Sequence, residues 1–196
     1  GYSNFVYASK PSVNVVSGSA GSGHSCAIAE SNHAALCWGY GPGDQDRGQG
    51  QSMTGPYRRV ASAGNSNCAI REGDGGLDCW GNSNDFQNKP TTGGFTEIAG
   101  GVNHYCALAA DGPAQCWGVD SFGNLDAPAD QTFVGITTGS YTSCGLKADL
   151  SAVCWGASNQ AAREASHQAA ARGNPMNPLA FVVWASLFAM PGLLLM

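Results

Sequence analysis

Eight cysteines are the residues of this chain best placed to do chemistry, and their spacing narrows what that chemistry is. They fall into four pairs, Cys26 with Cys37, Cys68 with Cys79, Cys106 with Cys116 and Cys144 with Cys154, at separations of 11, 11, 10 and 10, with none left over. Paired thiols serve as disulfides, as metal ligands or as inert buried groups. Zinc takes cysteines two to four residues apart, two such knuckles to one tetrahedron, so these intervals are too long for it. Disulfide and free buried thiol remain.

The segments between the cysteines decide the element that carries them. Cys106 to Leu108, Asp111-Gly112 and Gln115 to Trp117 are short apolar or alternating runs about a turn dipeptide, without the 3.6-residue period of a helix. Each pair therefore sits on a tight β-hairpin, with its turn at Ser31-Asn32, Gly73-Asp74, Asp111 or Asp149. Folding a hairpin at its midpoint sets its two cysteines directly opposite. Opposed Cα atoms in an antiparallel pair lie about 4.5 to 5.5 Å apart, within a disulfide's reach. The spacing predicts four disulfides, each local to one hairpin. A loop of this size stabilises by about 2.5 to 3 kcal/mol when closed, and such bonds belong to an oxidising compartment.

Each second cysteine opens the same tripeptide: Cys37-Trp38-Gly39, Cys79-Trp80-Gly81, Cys116-Trp117-Gly118 and Cys154-Trp155-Gly156, at intervals of 42, 37 and 38 residues. A fixed period of that length marks an array of supersecondary units. Five residues before each first cysteine stand the small residues Gly21, Ala63, Gly101 and Gly139, and two before it stand His24, Ser66, His104 and Thr142. Replacement of His24 and His104 by a hydroxyl in the other units fits a repeated structural hydrogen bond better than metal binding or acid/base work. The regular tryptophans Trp38, Trp80, Trp117 and Trp155 read as packing between units.

This pattern, with Phe95-Thr96-Glu97-Ile98-Ala99-Gly100-Gly101, His104-Tyr105-Cys106-Ala107-Leu108, Asp111-Gly112 and Cys116-Trp117-Gly118, resembles the RCC1-like repeat family in its cysteine-bearing extracellular form. It is similar to the ectodomains of crinkly-type plant receptor kinases and to secreted bacterial propellers that inhibit β-lactamases. The resemblance covers residues 1–157 and implies an all-β fold, a partial β-propeller of about four blades. The family usually closes seven blades, each a four-stranded sheet. Seven at about 38 residues each need about 270 residues. Gly1 aligns with Gly81 and Gly118, so the segment is expected to begin after a missing repeat, an N-terminal truncation.

Composition limits the partners. Nine Lys and Arg against 14 Asp and Glu give a net charge of -5, without the basic stripe that nucleic acid needs. No nucleophile elbow, zinc-protease helix or phosphate-binding glycine loop is present, so no enzyme, catalytic residue, metal or cofactor is expected. The connection from Gly39 to Pro56 runs 17 residues against 9 or 10 elsewhere, and its polar insertion presents Tyr40, Asp44 and Arg47 as candidate partner contacts. Asp44 and Asp46 echo a calcium loop only faintly, since its terminal Glu is missing.

Beyond Gly156 the composition changes. Residues 158–178 read as a polar linker, and 179–196 as an apolar helix that would span about 27 Å, close to a ~30 Å hydrocarbon core. A hydrophobic tail after a polar stretch resembles a glycosylphosphatidylinositol signal, with Ala169, Ala170 and Ala171 as the small triplet for lipid attachment. A single-pass transmembrane helix is the other reading. No Asn-X-Ser/Thr sequon occurs.

The function expected is a non-catalytic binding module, secreted or on the outer face of the plasma membrane, that engages a protein or glycan. Oligomeric state is not legible. The resemblance also admits guanine-nucleotide exchange on a small GTPase, as in the nuclear founding member, which disulfides and an apolar tail oppose. The tryptophan–arginine motif of the plant ultraviolet-B sensor of this fold is absent.

Overall fold

The computed structural model describes residues 12–39, 46–110 and 112–157. They form twelve short strands in four antiparallel sheets of three. Blade 1 is β1 (Val15–Ala20), β2 (His24–Ala29) and β3 (Ala35–Gly39). Blade 2 is β4 (Tyr57–Ser62), β5 (Ser66–Arg71) and β6 (Leu77–Gly81). Blade 3 is β7 (Phe95–Gly100), β8 (His104–Ala109) and β9 (Ala114–Gly118). Blade 4 is β10 (Gly135–Thr138), β11 (Thr142–Leu146) and β12 (Ala152–Gly156). The apolar tail and the linker before it lie outside the described residues. Among the described residues no helix is long and apolar enough to cross a membrane.

The sheets have three strands where the family resemblance implied four. The stretches after Trp38, Trp80 and Trp117 are rich in Gly, Pro and Asn, which deplete strands. Among the described residues, a trace of a fourth strand is seen in blade 1, where Met53 bridges Ala35 through two backbone hydrogen bonds of 2.9 and 2.8 Å.

Register places each cysteine opposite its partner: Cys26 faces Cys37, Cys68 faces Cys79, Cys106 faces Cys116 and Cys144 faces Cys154. Each pair is bonded, with Cα atoms 4.0 or 4.1 Å apart. The tripeptide's glycine follows from the same register. Gly39, Gly81, Gly118 and Gly156 all have positive φ, between 97° and 124°. A Cβ there would meet the backbone that opens the middle strand, at 2.5 Å from the His24 Cα and 2.7 Å from the Ser66 Cα. Only glycine fits that conformation and that approach.

Because successive strand residues point to opposite faces, each middle strand serves two neighbours. Ile28, Ile70 and Leu108 belong to clusters with the following blade, and Ala69 and Ala107 to clusters with the preceding one. The first strands of blades 1 to 3 carry a register shift near their start, between Val15 and Ser17, Tyr57 and Arg59, and Phe95 and Glu97. At that shift Tyr57 and Phe95, like Phe133 before β10, turn back onto the blade before and are 1 to 7% exposed. Gly145 leaves room for the Phe133 ring, which would lie 2.3 Å from a Cβ there.

Candidate functional site

Two features of the array could carry function: the joints between blades, and the face on which the first turn of each blade lies. The tryptophans define the joints. Trp80 shares a core cluster with Cys26 and Cys37, Trp117 with Cys68 and Cys79, and Trp155 with Cys106 and Cys116, so each indole is buried in one cluster with the disulfide of the preceding blade. These three are nearly buried, while Trp38, with no described blade before it, is half-buried. The Trp155 indole N–H donates to the Asn124 carbonyl at 3.1 Å. Those of Trp80 and Trp117 have no acceptor among the described residues.

A hydrogen bond crosses each joint from the residue two before the first cysteine to the residue one before it in the next blade. His24 Nε2 meets Asn67 Oδ1 at 2.8 Å, Ser66 Oγ meets the Tyr105 hydroxyl at 2.7 Å, and His104 Nε2 meets Ser143 Oγ at 2.9 Å. In blade 4 the equivalent Thr142 instead donates to the Ala157 carbonyl at 2.7 Å. Both imidazoles are buried and their Nδ1 atoms have no described partner. Burial lowers the His24 pKa against the opposing pull of Asn67. Burial pushes His104 down to about 4. Neutral rings at pH 7 suit hydrogen-bonded packing.

Asn67 is the hub of the first joint. Its Oδ1 also accepts from Ser62 Oγ at 2.7 Å, and its amide donates to the Gln49 carbonyl at 2.7 Å. Cys26 Sγ lies 3.1 Å from the same oxygen, a close contact only, since a disulfide sulfur has no proton to donate. The connectors supply further buried polar groups that motif reading missed. Asn124 Oδ1 accepts from the Ser121 and Phe122 amides. Buried Asp85 accepts from the Asn65 amide, and its burial raises its pKa. The available signal is a glycine of positive φ just before Gln49 and Asn124, namely Gly48 and Gly123.

The first turns make a third tie. Ser22 N–H donates to the Gly64 carbonyl at 3.0 Å, Gly64 N–H to Val102 at 2.7 Å, and Val102 N–H to Ser140 at 3.2 Å. This backbone ladder edges a cleft of about 220 Å³ whose lining includes Gly21, Gly64, Gly101 and Gly139. The cleft's lining carries no ionisable side chain. Among the described residues no group of three His, Cys, Asp or Glu is placed to hold a metal.

On the same edge the third strands end and the connectors begin, since His24 pairs with Gly39 and His104 with Gly118. Phe122 is 61% exposed there and meets Tyr141 edge-on at 5.3 Å. Arg47 is exposed and its amide donates to Gln49 Oε1 at 2.6 Å. Tyr40 and Asp44 lie outside the described residues, as do Ala169, Ala170 and Ala171.

Among solved structures, the chain is similar to the CRINKLY WD40 ectodomain of the Arabidopsis thaliana receptor kinase ACR4, at 26% identity and a TM-score of 0.62 over 71% of this chain and 50% of that one. It is similar also to the entire ectodomain of the Physcomitrella patens receptor kinase CR4, at 26% identity and 0.65 over 76% and 40%. Prp20p from Saccharomyces cerevisiae, at 19% identity and 0.59 over 74% and 44%, shares the fold. The chain thus spans half or less of the length of these structures. No family model matches it, and no curated protein does.

Proposed function

We propose that this chain, a run of four RCC1-like propeller blades of the cysteine-rich extracellular type, is a non-catalytic binding module that meets a protein or glycan outside the cell. One observation carries the reading: every blade has its own disulfide, which an oxidising compartment maintains. The likeness to two receptor-kinase ectodomains supports the same compartment. Rigid blades present loops of free sequence, the arrangement on which recognition surfaces are built.

The ligand face in this proposal is the edge of the first turns. The Phe122–Tyr141 pair supports this choice, and the candidate contacts Tyr40, Asp44 and Arg47, in the long connection that follows β3, are assigned to the same face. Aromatic and arginine side chains contribute most per residue at interfaces. Residues 1–157 are the binding segment, 158–178 a spacer and 179–196 a membrane anchor, lipid-linked near Ala169, Ala170 and Ala171 or spanning as a helix.

The test has two steps. Non-reducing peptide mapping of the protein from its native cells, with thiols blocked at lysis, is expected to recover four disulfides. Eight free thiols in a cytosolic protein overturn the reading. Binding of the oxidised chain to a glycan array and to intact cells is then compared with Arg47→Ala and Phe122→Ala, each expected to weaken it at least tenfold.

A further inference from the structure

Phe122 is a side chain that core packing leaves unexplained. At 61% exposure it is the only aromatic among the exposed large apolar side chains of the described residues. Its ring meets half-buried Tyr141 edge-on at 5.3 Å, where the connector after blade 3 passes the first turn of blade 4. The loop beneath the ring is fixed. Asn124, fully buried, accepts from the Ser121 and Phe122 amides through Oδ1 at 2.9 and 3.3 Å and donates to the Val119 carbonyl at 3.0 Å. The Asn124 carbonyl in turn accepts from the Trp155 indole and from Ser143 Oγ, which ties the loop into the core of the joint. The ring is therefore in place before a partner arrives, and binding there costs little ordering.

Charge indicates what such a ring receives. Two carboxylates bracket Gly123, the residue after Phe122: Asp120 Oδ1 accepts from the Gly123 amide at 2.8 Å, and Asp126 Oδ2 would lie 3.0 Å from a Cβ on that glycine. Both aspartates are exposed, and neither has an ion pair among the described residues. Between Lys89 and Lys147 the sequence holds Glu97, Asp111, Asp120, Asp126 and Asp130 and no Lys or Arg. Negative charge gathers around the ring without its counter-charge. An aromatic face attracts a cation, and carboxylates beside it add to the pull. Two carboxylates are fewer than the oxygen ligands a hard metal ion takes, so an organic cation is the better match. Guanidinium fits best, because its plane stacks on an aromatic face while its N–H fork meets a carboxylate.

We infer that the Phe122–Tyr141 pair, with Asp120 and Asp126 beside it, receives an arginine side chain of a protein partner. The inference rests on the binding reading above and narrows it, since it takes a protein with an exposed arginine over a glycan. Aromatic and arginine side chains are the pairing that carries most energy at protein interfaces.

Amide NMR of the full oxidised chain in a mild detergent, titrated with the peptide acetyl-Gly-Arg-Gly-amide, tests it. The amides of residues 119–126 and 141 are expected to shift saturably. The citrulline peptide, of the same shape without the charge, is expected to leave them in place, and the lysine peptide to bind more weakly than the arginine one. Phe122→Ala is expected to weaken the arginine peptide about two- to fivefold. The Asp120→Asn/Asp126→Asn double variant, which keeps the acceptor for the Gly123 amide, is expected to weaken it by a similar factor, about two- to fivefold. Peptide mapping of the four disulfides and unmoved amides in blade 2 check that the variants are folded. Equal responses to arginine and citrulline, shifts confined to other residues, or variants that bind as the wild type does overturn the inference. Methyl β-glucoside moving these amides where the arginine peptide does not overturns it in favour of a glycan. Free thiols in a cytosolic protein would overturn the extracellular reading and leave this result standing. An arginine peptide that fails while binding to cells still depends on Phe122 overturns this inference alone.

Discussion

Trp117 shares a buried cluster with Cys68, a residue of the blade before it, and this displacement by one unit ties the array together. The indole, 1% exposed, also stacks on Tyr105 at 5.8 Å and meets Phe95 at 6.4 Å. Stability in such an array is a sum of unit and nearest-neighbour terms, and here each neighbour term includes an indole and a disulfide in one buried cluster.

Trp117→Ala is expected to cost about 3 to 5 kcal/mol, read as a lower urea midpoint with disulfides intact. The more specific consequence concerns reduction. In that variant Cys68–Cys79 should be reduced faster by a mild phosphine, while Cys106–Cys116, in the same blade as Trp117, keeps its wild-type rate. Mass mapping of the trapped thiols distinguishes the two. Acceleration at Cys106–Cys116 instead would contradict the packing described.

Gly101 and His104 are matched in size. A Cβ at Gly101 would lie 2.3 Å from His104 Cε1 and 2.6 Å from the Gly139 carbonyl, and the same conflict holds between Gly21 and His24. Blade 2 has Ala63 at this position and Ser66 in place of the ring, so a methyl fits once the imidazole is gone. Gly101→Ala should therefore cost about 1 to 3 kcal/mol, the usual range for overpacking. His104→Ser in the Gly101→Ala background is expected to recover part of that loss, and a double-mutant cycle in urea measures the coupling. Additive losses would show that the ring is not the obstacle.

Acid should loosen the joints. His104 is held near pKa 4 in the folded chain against an ordinary 6.5. Between those values the unfolded chain binds the extra proton, so stability rises with pH across that window and is lost as pH falls from about 6.5 to 4. A shift of this size corresponds to about 3 kcal/mol. His24, also lowered by burial, acts in the same direction. The wild type should show a falling melting temperature over that window. The His24→Ser/His104→Ser double variant should show a much flatter profile, although it starts less stable at pH 7.

What was legible in the sequence was local. Cys106 and Cys116 lie 10 residues apart about one turn, so hairpin register alone sets them opposite. The repeat of Cys37-Trp38-Gly39 marks the blade because that glycine answers a local backbone constraint. The joints were harder to read, because their partners are a full repeat apart. His24 meets Asn67 across 43 positions, Ser66 meets Tyr105 across 39 and His104 meets Ser143 across 39, and the receiving residues, Asn67, Tyr105 and Ser143, share no side-chain chemistry beyond hydrogen bonding. Gln49, Asp85 and Asn124 escaped notice for a related reason. They sit in connectors of unequal length, where periodic alignment fails.

Asn67 gives the sharpest test of how the joints are weighted. Its side chain receives His24 and Ser62 and donates to Gln49, all away from water. Asn67→Ala leaves three buried groups with one partner fewer, and each stranded group costs about 1 to 3 kcal/mol. Ser143→Ala, at the joint between blades 3 and 4, removes the His104 partner and the 3.3 Å bond to the Asn124 carbonyl, which still accepts from Trp155. The loss at Asn67 should therefore exceed that at Ser143 by about 1 kcal/mol or more. As the two sites belong to different joints, the double variant should lose close to the sum of the two. Equal losses in urea unfolding would mean that the hub is relieved by water, and that the first joint is no more tightly specified than the last.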